Sequence, residues 1–281
     1  MQVEAQDVER VIAVARAAGI LAEEMRRAGL GAIKGKSNET DLVTAADIAC
    51  EQYIREALWA HYPGLDLLGE ESGQQPASEY YWIVDPIDGT VNYATGLPYS
   101  SVTIALHRGR ETLLGVTCQH ESGLVYHARL GHGAFVRRPD RGDERLSVNG
   151  ATRLIDALMA TGFPYHAKES PDDNLAEIGY FLSRVRAVRV LGSAALDLCH
   201  VATGALGAFW EGWLNPWDAA AGVLFVREAG GRVTDYAGNE WRIGSWGVVA
   251  SNGQPAIHDG MLAGIRQARA TLTELKMPAL P

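Results

Sequence analysis

The chain has few cysteines and no excess of positive charge. Its 281 residues include only Cys50, Cys118 and Cys199, which form no C-x-x-C pair and no Cys/His cluster, and this argues against a zinc site. An odd number of dispersed thiols is typical of the reducing cytoplasm, where we expect the protein to reside. The formal net charge of −9 argues against nucleic acid as a partner.

Membrane and export signals are also missing. No apolar run approaches the roughly 20 residues of a membrane-spanning helix. The first ten residues are polar and acidic, so we expect no signal peptide. With 47% hydrophobic and 21% charged residues, the composition is that of a globular protein whose core needs no disulfides.

The most informative stretch is Trp82-Ile83-Val84-Asp85-Pro86-Ile87-Asp88-Gly89-Thr90-Val91-Asn92-Tyr93. Residues 81–84 predict a buried strand, Gly89 permits a turn and close approach of a ligand, and Thr90 is placed to begin a short helix. Two carboxylates and a set of backbone N–H groups would then share a small volume, which suits a divalent cation and a phosphate. An acidic turn after a strand explains the same residues, so this stretch alone does not decide.

Other acids recur at the ends of predicted elements. In the predicted helix 44–60, Asp47 shares a stripe with apolar residues and faces inward, although Thr44-x-x-Asp47 also resembles a capping box. Glu70 and Glu71 follow a predicted strand at 65–68, where adjacent like charges are unfavourable without a cation unless one faces solvent.

Asp218 has a local explanation as well. It lies in the first turn of a helix that Asn215 and Pro216 are suited to begin, and the helix dipole favours an acid there. Completion of a metal site is the alternative. Small residues at 219–222 would let this helix pack closely on a neighbour.

The element pattern predicts an α+β or α/β protein with two halves, residues 1–150 and 151–281. The first half contains amphipathic helices at 5–30 and 44–60, a mobile polar loop at 34–40 that includes Lys36, an antiparallel meander at 100–136 and a charged loop at 139–144. The second half alternates strands and helices. Its predicted strands are 158–161, 187–191, 207–211, 232–234 and 248–251, and its helices are 172–183, 193–203, 216–229 and one from 255.

Four motifs, in this order, resemble the inositol monophosphatase family of magnesium-dependent, lithium-sensitive phosphatases. They are Asp41-Leu42-Val43-Thr44-x-x-Asp47, Gly69-Glu70-Glu71-Ser72, the stretch from Trp82 to Tyr93, and Trp217-Asp218-x-Ala220-x-Gly222. Ala160-Thr161-Gly162-Phe163-Pro164 and Gly192-Ser193-Ala194-Ala195-Leu196-Asp197 resemble its bacterial branch. The match covers nearly the whole chain and implies a layered α/β/α/β/α sandwich, a homodimer and no membrane or nucleic-acid partner.

The resemblance implies a role for each matching residue. Two to three Mg²⁺ ions would be held by Glu70, Asp85, the Ile87 carbonyl, Asp88 and Asp218. Thr90, paired with Asp47, would orient the attacking water, and Glu70 would also reach a weaker third ion. The N–H groups of Gly89 and Thr90 would hold the phosphate, while Ser193, Ala194 and Glu211 would contact the hydroxyls of a small phosphorylated polyol or sugar.

Three functions are compatible with the sequence. Asn92-Tyr93 after the Asp-Gly-Thr favours an inositol-1-phosphate phosphatase. The alternative is a sister phosphatase for fructose 1,6-bisphosphate, histidinol phosphate, NADP or a 3′-phosphonucleotide. A non-catalytic protein with the same fold is the third, and the acidic set argues against it because unused buried acids are destabilising.

Overall fold

The computed structural model describes residues 3–29, 34–35, 42–164 and 173–274. Within these ranges the helices are α1 (Ala5–Ala28), α2 (Ala45–His61), α3 (Thr90–Thr95), α4 (Leu175–Leu182), α5 (Ala194–Ala202), α6 (Pro216–Glu228) and α7 (Pro255–Glu274). A short 3₁₀ helix spans Leu154–Asp156. None of the described helices is both long enough and apolar enough to cross a membrane.

The described strands form three sheets. Strands β1 (Lys34–Gly35) and β2 (Leu42–Val43) pair with each other. The large sheet contains β3 (Asp66–Gly69), β4 (Tyr80–Asp88), β5 (Ser101–Arg108), β6 (Glu111–Gln119), β7 (Leu124–Arg129), β8 (Ala134–Arg138) and β9 (Gly142–Arg145) in chain order. The smaller sheet has the order β11-β10-β12-β14-β13, built from β10 (Leu158–Thr161), β11 (Ala187–Arg189), β12 (Ala208–Glu211), β13 (Arg232–Thr234) and β14 (Val248–Ser251).

The helices and the two large sheets alternate as layers. Helices α1 and α2 pack on one face of the seven-stranded sheet, and α5 and α6 fill the space between the two sheets. Helices α4 and α7 cover the outer face of the five-stranded sheet. The α/β/α/β/α order implied by the resemblance is therefore confirmed. The division into halves at residue 150 stays a prediction, and one apolar cluster joins both sheets.

Most element predictions hold, but the central strand is longer than predicted. Strand β4 continues through both aspartates to Asp88, and its pairing with β5 is irregular between Asp85 and Asp88. Pro86 lies in that interval, where the missing N–H costs no regular ladder bond. The same irregularity turns both aspartates toward one region at the end of the strand.

Two predicted loops contain strands. The prediction of a charged loop at 139–144 was wrong in part, because Gly142–Arg145 forms edge strand β9 on β8. All four β9 residues are exposed, so the strand carries no apolar alternation that a sequence pattern could show. The loop at 34–40 begins with β1, while Lys36 and Asp41 lie outside the described residues.

The two middle-layer helices are in unusually close contact at Gly222. A Cβ placed there would lie 2.5 Å from Leu198 Cβ on α5. Backbone packing of this kind leaves no room for a side chain. The small residues 219–222 therefore serve the close helix packing that the sequence predicts.

We expect Gly222→Ala to lower the free energy of unfolding by about 1–3 kcal/mol, because the added methyl overpacks the contact with α5. Gly179→Ala is the matched control: Gly179 is also helical, it is exposed, and its Cβ would meet nothing within 4 Å. The control should be neutral or stabilising by up to about 1 kcal/mol. Urea denaturation of both variants checks this, and equal stability of the two would contradict it.

Candidate active site

Three aspartates converge where the large sheet meets the middle layer. Asp85 and Asp88 come from β4 and Asp218 from the first turn of α6, and each offers an oxygen within 4.8 Å of the others. We call these three residues the acidic cluster. Burial, with the negative charges of neighbouring carboxylates, raises the pKa of both Asp85 and Asp88.

Glu70, which directly follows β3, joins this group. Strand β3 runs parallel to β4, and the Glu70 N–H donates to the Val84 carbonyl at 3.1 Å. This register brings the Glu70 side chain into a hydrogen bond with Asp85, and its charge contributes to the raised pKa of Asp85 and of Asp88. Carboxylate oxygens gathered in this way suit a divalent cation.

The second half of the chain orients Asp88. Its Oδ2 accepts hydrogen bonds from the Ser193 hydroxyl and from the Ala195 N–H at 3.1 Å. Ser193 caps α5, so the start of this helix holds the carboxylate. The predicted substrate residues Ser193 and Ala194 do line the cavity beside the cluster, but the Ser193 hydroxyl is engaged by Asp88.

Asp47 combines the two roles that the sequence left open. Its Oδ2 accepts from the Thr44 N–H at 2.8 Å and from the Thr44 hydroxyl, which is a capping box at the start of α2. Its Oδ1 lies 3.4 Å from Thr90 Oγ1. Thr90 Oγ1 also lies 3.1 Å from the Ile87 carbonyl oxygen, so Asp47, Thr90 and Ile87 form one connected network.

Gly89 is required at the turn between β4 and α3. Its φ of 83° lies in the left-handed region that favours glycine. A Cβ at this position would also lie 3.0 Å from the Gly192 and Tyr99 carbonyl oxygens. The chain can therefore turn into α3, with Thr90 as its first residue, while remaining close to the segment that carries Ser193.

A cavity of about 510 Å³ opens beside the acidic cluster. Asp88 and Asp218 line it, and Glu211 at the end of β12 lies in it as predicted. Burial, together with the charges of Asp197, Asp218 and Asp88, raises the pKa of Glu211. Gly162 provides the space for this carboxylate, since a Cβ there would lie 2.4 Å from either Glu211 side-chain oxygen.

The donor atoms fit a hard divalent cation. The acidic cluster and Glu70 supply carboxylate oxygens, and no sulfur or imidazole nitrogen belongs to the cluster found among the described residues. Oxygen-only sites suit Mg²⁺. The raised pKa values have the direction expected for acids that a cation would stabilise in their charged form.

The sequence reasoning did not identify Glu51, which supports the turn carrying Glu70. Glu51 is buried on α2, where its carboxylate accepts from the Glu71 N–H at 2.8 Å and the Ser72 N–H at 3.1 Å. Gly69 makes room for it, because a Cβ there would lie 2.3 Å from Glu51 Oε2. The sequence pattern that could have identified Glu51 is its position: it lies one helical turn after Asp47, as a second acid on an inward-facing stripe.

Asn92 and Asp197 are two further positioning residues. The Asn92 amide donates to the Tyr99 carbonyl at 2.9 Å and to the Leu191 carbonyl at 2.8 Å, which ties α3 to the segment before Ser193. Asp197 lines the cavity and accepts from the Tyr99 hydroxyl at 2.7 Å. Burial raises the pKa of Asp197 to about 8.

Known proteins are similar to this chain in sequence and in fold. A sequence model described as the inositol monophosphatase family matches residues 4–270. An "Inositol-1-monophosphatase" of Mesorhizobium japonicum is 39% identical over 214 residues, 75% of this chain and 79% of the relative. A relative in Neisseria meningitidis, named as a candidate Nus factor SuhB, is 40% identical over 235 residues, 81% of this chain and 87% of its own.

A solved structure agrees over nearly the full length. The "IMPase" from Thermotoga maritima has a TM-score of 0.84 and 30% identity, with 95% of this chain and 99% of that one covered. The chain therefore belongs to the inositol monophosphatase family. It is an enzyme of the phosphoric monoester hydrolase class.

We expect Glu51→Gln to weaken metal binding without unfolding the protein. The amide nitrogen would replace one of the two oxygens that accept from Glu71 and Ser72, so the turn carrying Glu70 would lose a contact. Loss of an outer contact of this kind raises the metal concentration for half-maximal activity about 10- to 100-fold. Glu56→Gln is the control, an exposed acid on the same helix. If both variants need the same Mg²⁺ concentration as wild type, Glu51 has no positioning role.

Proposed function

We propose that this enzyme is a magnesium-dependent phosphatase of small phosphorylated polyols, with inositol 1-phosphate as its preferred substrate. The observation that carries the proposal is the acidic cluster at the edge of a cavity that also contains Glu211. A cation and a hydroxyl-bearing phosphate ester would meet at this edge. The names of the relatives support the same substrate.

Each predicted ligand has a proposed place in this chemistry. Glu70, Asp85 and the Ile87 carbonyl would hold one Mg²⁺, and Asp85, Asp88 and Asp218 a second, with a weaker third near Glu70. When bound, Mg²⁺ lowers the pKa of water and stabilises the charge that develops on phosphate and leaving oxygens. Hydrogen bonds fix the ligand oxygens in advance, as the Ser193 hydroxyl and the Ala195 N–H do for Asp88.

The remaining residues would handle water and substrate. Thr90 is held between Asp47 and the Ile87 carbonyl, so its hydroxyl is placed to orient an attacking water. The N–H groups of Gly89 and Thr90 would bind the phosphate. Ala194 and Glu211 would accept or direct the substrate hydroxyls inside the cavity, while Ser193 would act mainly through Asp88.

The setting and assembly of the enzyme are also part of the proposal. The three cysteines are buried free thiols, which supports a reducing cytoplasm. Exposed Leu175 and Leu182 on α4, with exposed Val190 nearby in sequence, offer apolar surface for a homodimer. Analytical ultracentrifugation of the purified chain tests this assembly, and a monomer at micromolar concentration would refute it.

We expect Asp88→Asn to lower phosphate release at least about 100-fold, because a ligand oxygen of a stabilising cation is lost. The remaining amide oxygen can still accept from Ser193 and Ala195, so the variant should fold. Removal of metal with EDTA should abolish wild-type activity, and added Mg²⁺ should restore it. Phosphate release and thermal unfolding check both parts. Wild-type turnover by the variant, or activity that survives exhaustive chelation, would overturn the proposal.

We expect Glu211→Gln to affect polyol substrates selectively. Hydrogen bonds to a charged group contribute roughly 1.5–3 kcal/mol, so kcat/KM for inositol 1-phosphate should fall about ten- to a hundred-fold. p-Nitrophenyl phosphate has no neighbouring hydroxyls and should be hydrolysed at close to the wild-type rate. An equal loss on both substrates would instead assign Glu211 to the structure of the cluster.

The choice among polyol, sugar and nucleotide phosphates needs a direct comparison. Wild-type kcat/KM should be measured for inositol 1-phosphate, fructose 1,6-bisphosphate, histidinol phosphate, NADP and a 3′-phosphonucleotide. The proposal requires inositol 1-phosphate to give the highest value. A higher value for another substrate would identify a sister phosphatase.

A further inference from the structure

A second group of potential metal ligands lies outside the acidic cluster. It consists of Glu23 on α1 and the consecutive residues His120 and Glu121 after β6, whose ligand atoms all lie within 4.8 Å of one another. Only 1% of the His120 side chain is exposed, with 12% for Glu23 and 10% for Glu121. These three side chains share no residue with the acidic cluster, and no motif of the sequence marks them.

The fold brings α1 unusually close to this turn. A Cβ on Gly19 would lie 2.7 Å from His120 Cβ, so glycine permits the approach. Glu23 follows one helical turn later on the same face. The Tyr93 ring packs edge-on against the imidazole at 5.9 Å, and its hydroxyl donates to the Ala22 carbonyl at 2.7 Å. The imidazole is therefore held on several sides.

Ser100 assigns the tautomer of His120. The Ser100 hydroxyl donates to Glu121 Oε1 at 2.8 Å, and a hydroxyl has one proton to give. Its oxygen also lies 3.2 Å from His120 Nε2, so it accepts the Nε2–H there. In the neutral imidazole the proton is thus on Nε2, and Nδ1 carries a lone pair.

That lone pair points toward two carboxylate oxygens. His120 Nδ1 lies 3.2 Å from Glu23 Oε1 and 3.6 Å from Glu121 Oε2. Glu121 Oε2 is buried and accepts no hydrogen bond within the described part of the chain. Three electron-rich atoms that face one another without a proton between them repel unless a cation lies among them.

We propose that Glu23, His120 and Glu121 form a second metal site, which binds a divalent transition-metal ion such as Zn²⁺. Ligands about 2.0–2.1 Å from a tetrahedral ion lie about 3.3–3.4 Å apart. The two separations from Nδ1, 3.2 and 3.6 Å, lie on either side of that range. One nitrogen and two oxygens favour Zn²⁺ over Mg²⁺. Ser100 holds the far side of both His120 and Glu121, as outer partners do in metal sites.

Two neighbouring arginines leave this arrangement available. Arg27 lies 3.8 Å from Glu23 Oε2, the oxygen that Arg26 also contacts. Arg26 donates to Glu23 Oε2 at 2.9 Å, on the oxygen other than the one near His120. Glu23 Oε1 and Glu121 Oε2 remain directed at Nδ1. The competing occupant is a proton on Nδ1, which would make His120 an imidazolium between two carboxylates.

The test is Zn²⁺ binding to the purified full chain, first stripped with EDTA and then kept in excess Mg²⁺. Equilibrium dialysis should show one more Zn²⁺ per chain for wild type than for His120→Gln. Glu121→Gln should weaken that ion by more than the roughly 10- to 100-fold typical of a lost outer partner. Asp88→Asn should still bind it, which separates this site from the acidic cluster.

His127→Gln is the matched control. His127 is also buried and lies 3.2 Å from a single carboxylate oxygen, on Asp143, but it belongs to no group of three ligands found in the described residues. This variant should bind Zn²⁺ as wild type does. Loss of the same ion in His127→Gln would overturn the assignment.

Nuclear magnetic resonance of the His120 ring distinguishes a bound Zn²⁺ from a proton on Nδ1, and it needs no substitution. Zn²⁺ should shift the Nδ1 resonance of His120 and leave Nε2 protonated. An imidazolium that persists in the presence of Zn²⁺, or equal Zn²⁺ binding by wild type and His120→Gln, would refute the second metal site. If His120→Gln does not fold, the ring spectrum of the wild type and Zn²⁺ binding by Glu121→Gln test the second metal site instead.

Discussion

Repulsion among closely spaced carboxylates is the constraint on which the active site depends. Asp85, Asp88 and Asp218 offer oxygens within 4.8 Å of one another, and burial, with the charges of neighbouring carboxylates, raises the pKa of the first two. Backbone and hydroxyl donors orient Asp88 and Asp218, and a bound divalent cation would stabilise the charges of the cluster together.

The alternatives that the sequence left open at these acids turn out to be compatible. Asp218 Oδ2 accepts from the Asn215 N–H at 2.7 Å, and Asp47 Oδ2 accepts from the Thr44 N–H, so both cap a helix. A carboxylate has two oxygens, and Asp47 directs the other one toward Thr90. Capping therefore fixes the orientation of the acid without excluding a role in the site. A sequence pattern that identifies a cap cannot show where the second oxygen points.

The sequence predicted the elements better than it predicted their contacts. Hydrophobic periodicity located nearly every helix and strand, because burial of an apolar face dominates local structure. It missed β9, whose residues are all exposed, and the extension of β4 through Pro86, which depends on irregular pairing with β5. It gave no indication that the Ser193 hydroxyl donates to Asp88. Contacts between residues about a hundred positions apart have no signature in a single sequence.

The geometry of the acidic cluster is set by the packing of two helices behind it. Helix α5 holds Asp88 through Ser193 and Ala195, and helix α6 carries Asp218. Gly222 lies one turn after Asp218 on the same helix face, and there α6 touches Leu198 of α5. The distance between the two aspartates therefore depends on how closely these helices approach. Since metal–ligand distances tolerate only about ±0.2 Å, the glycine that permits this approach belongs to the site as much as the acids do.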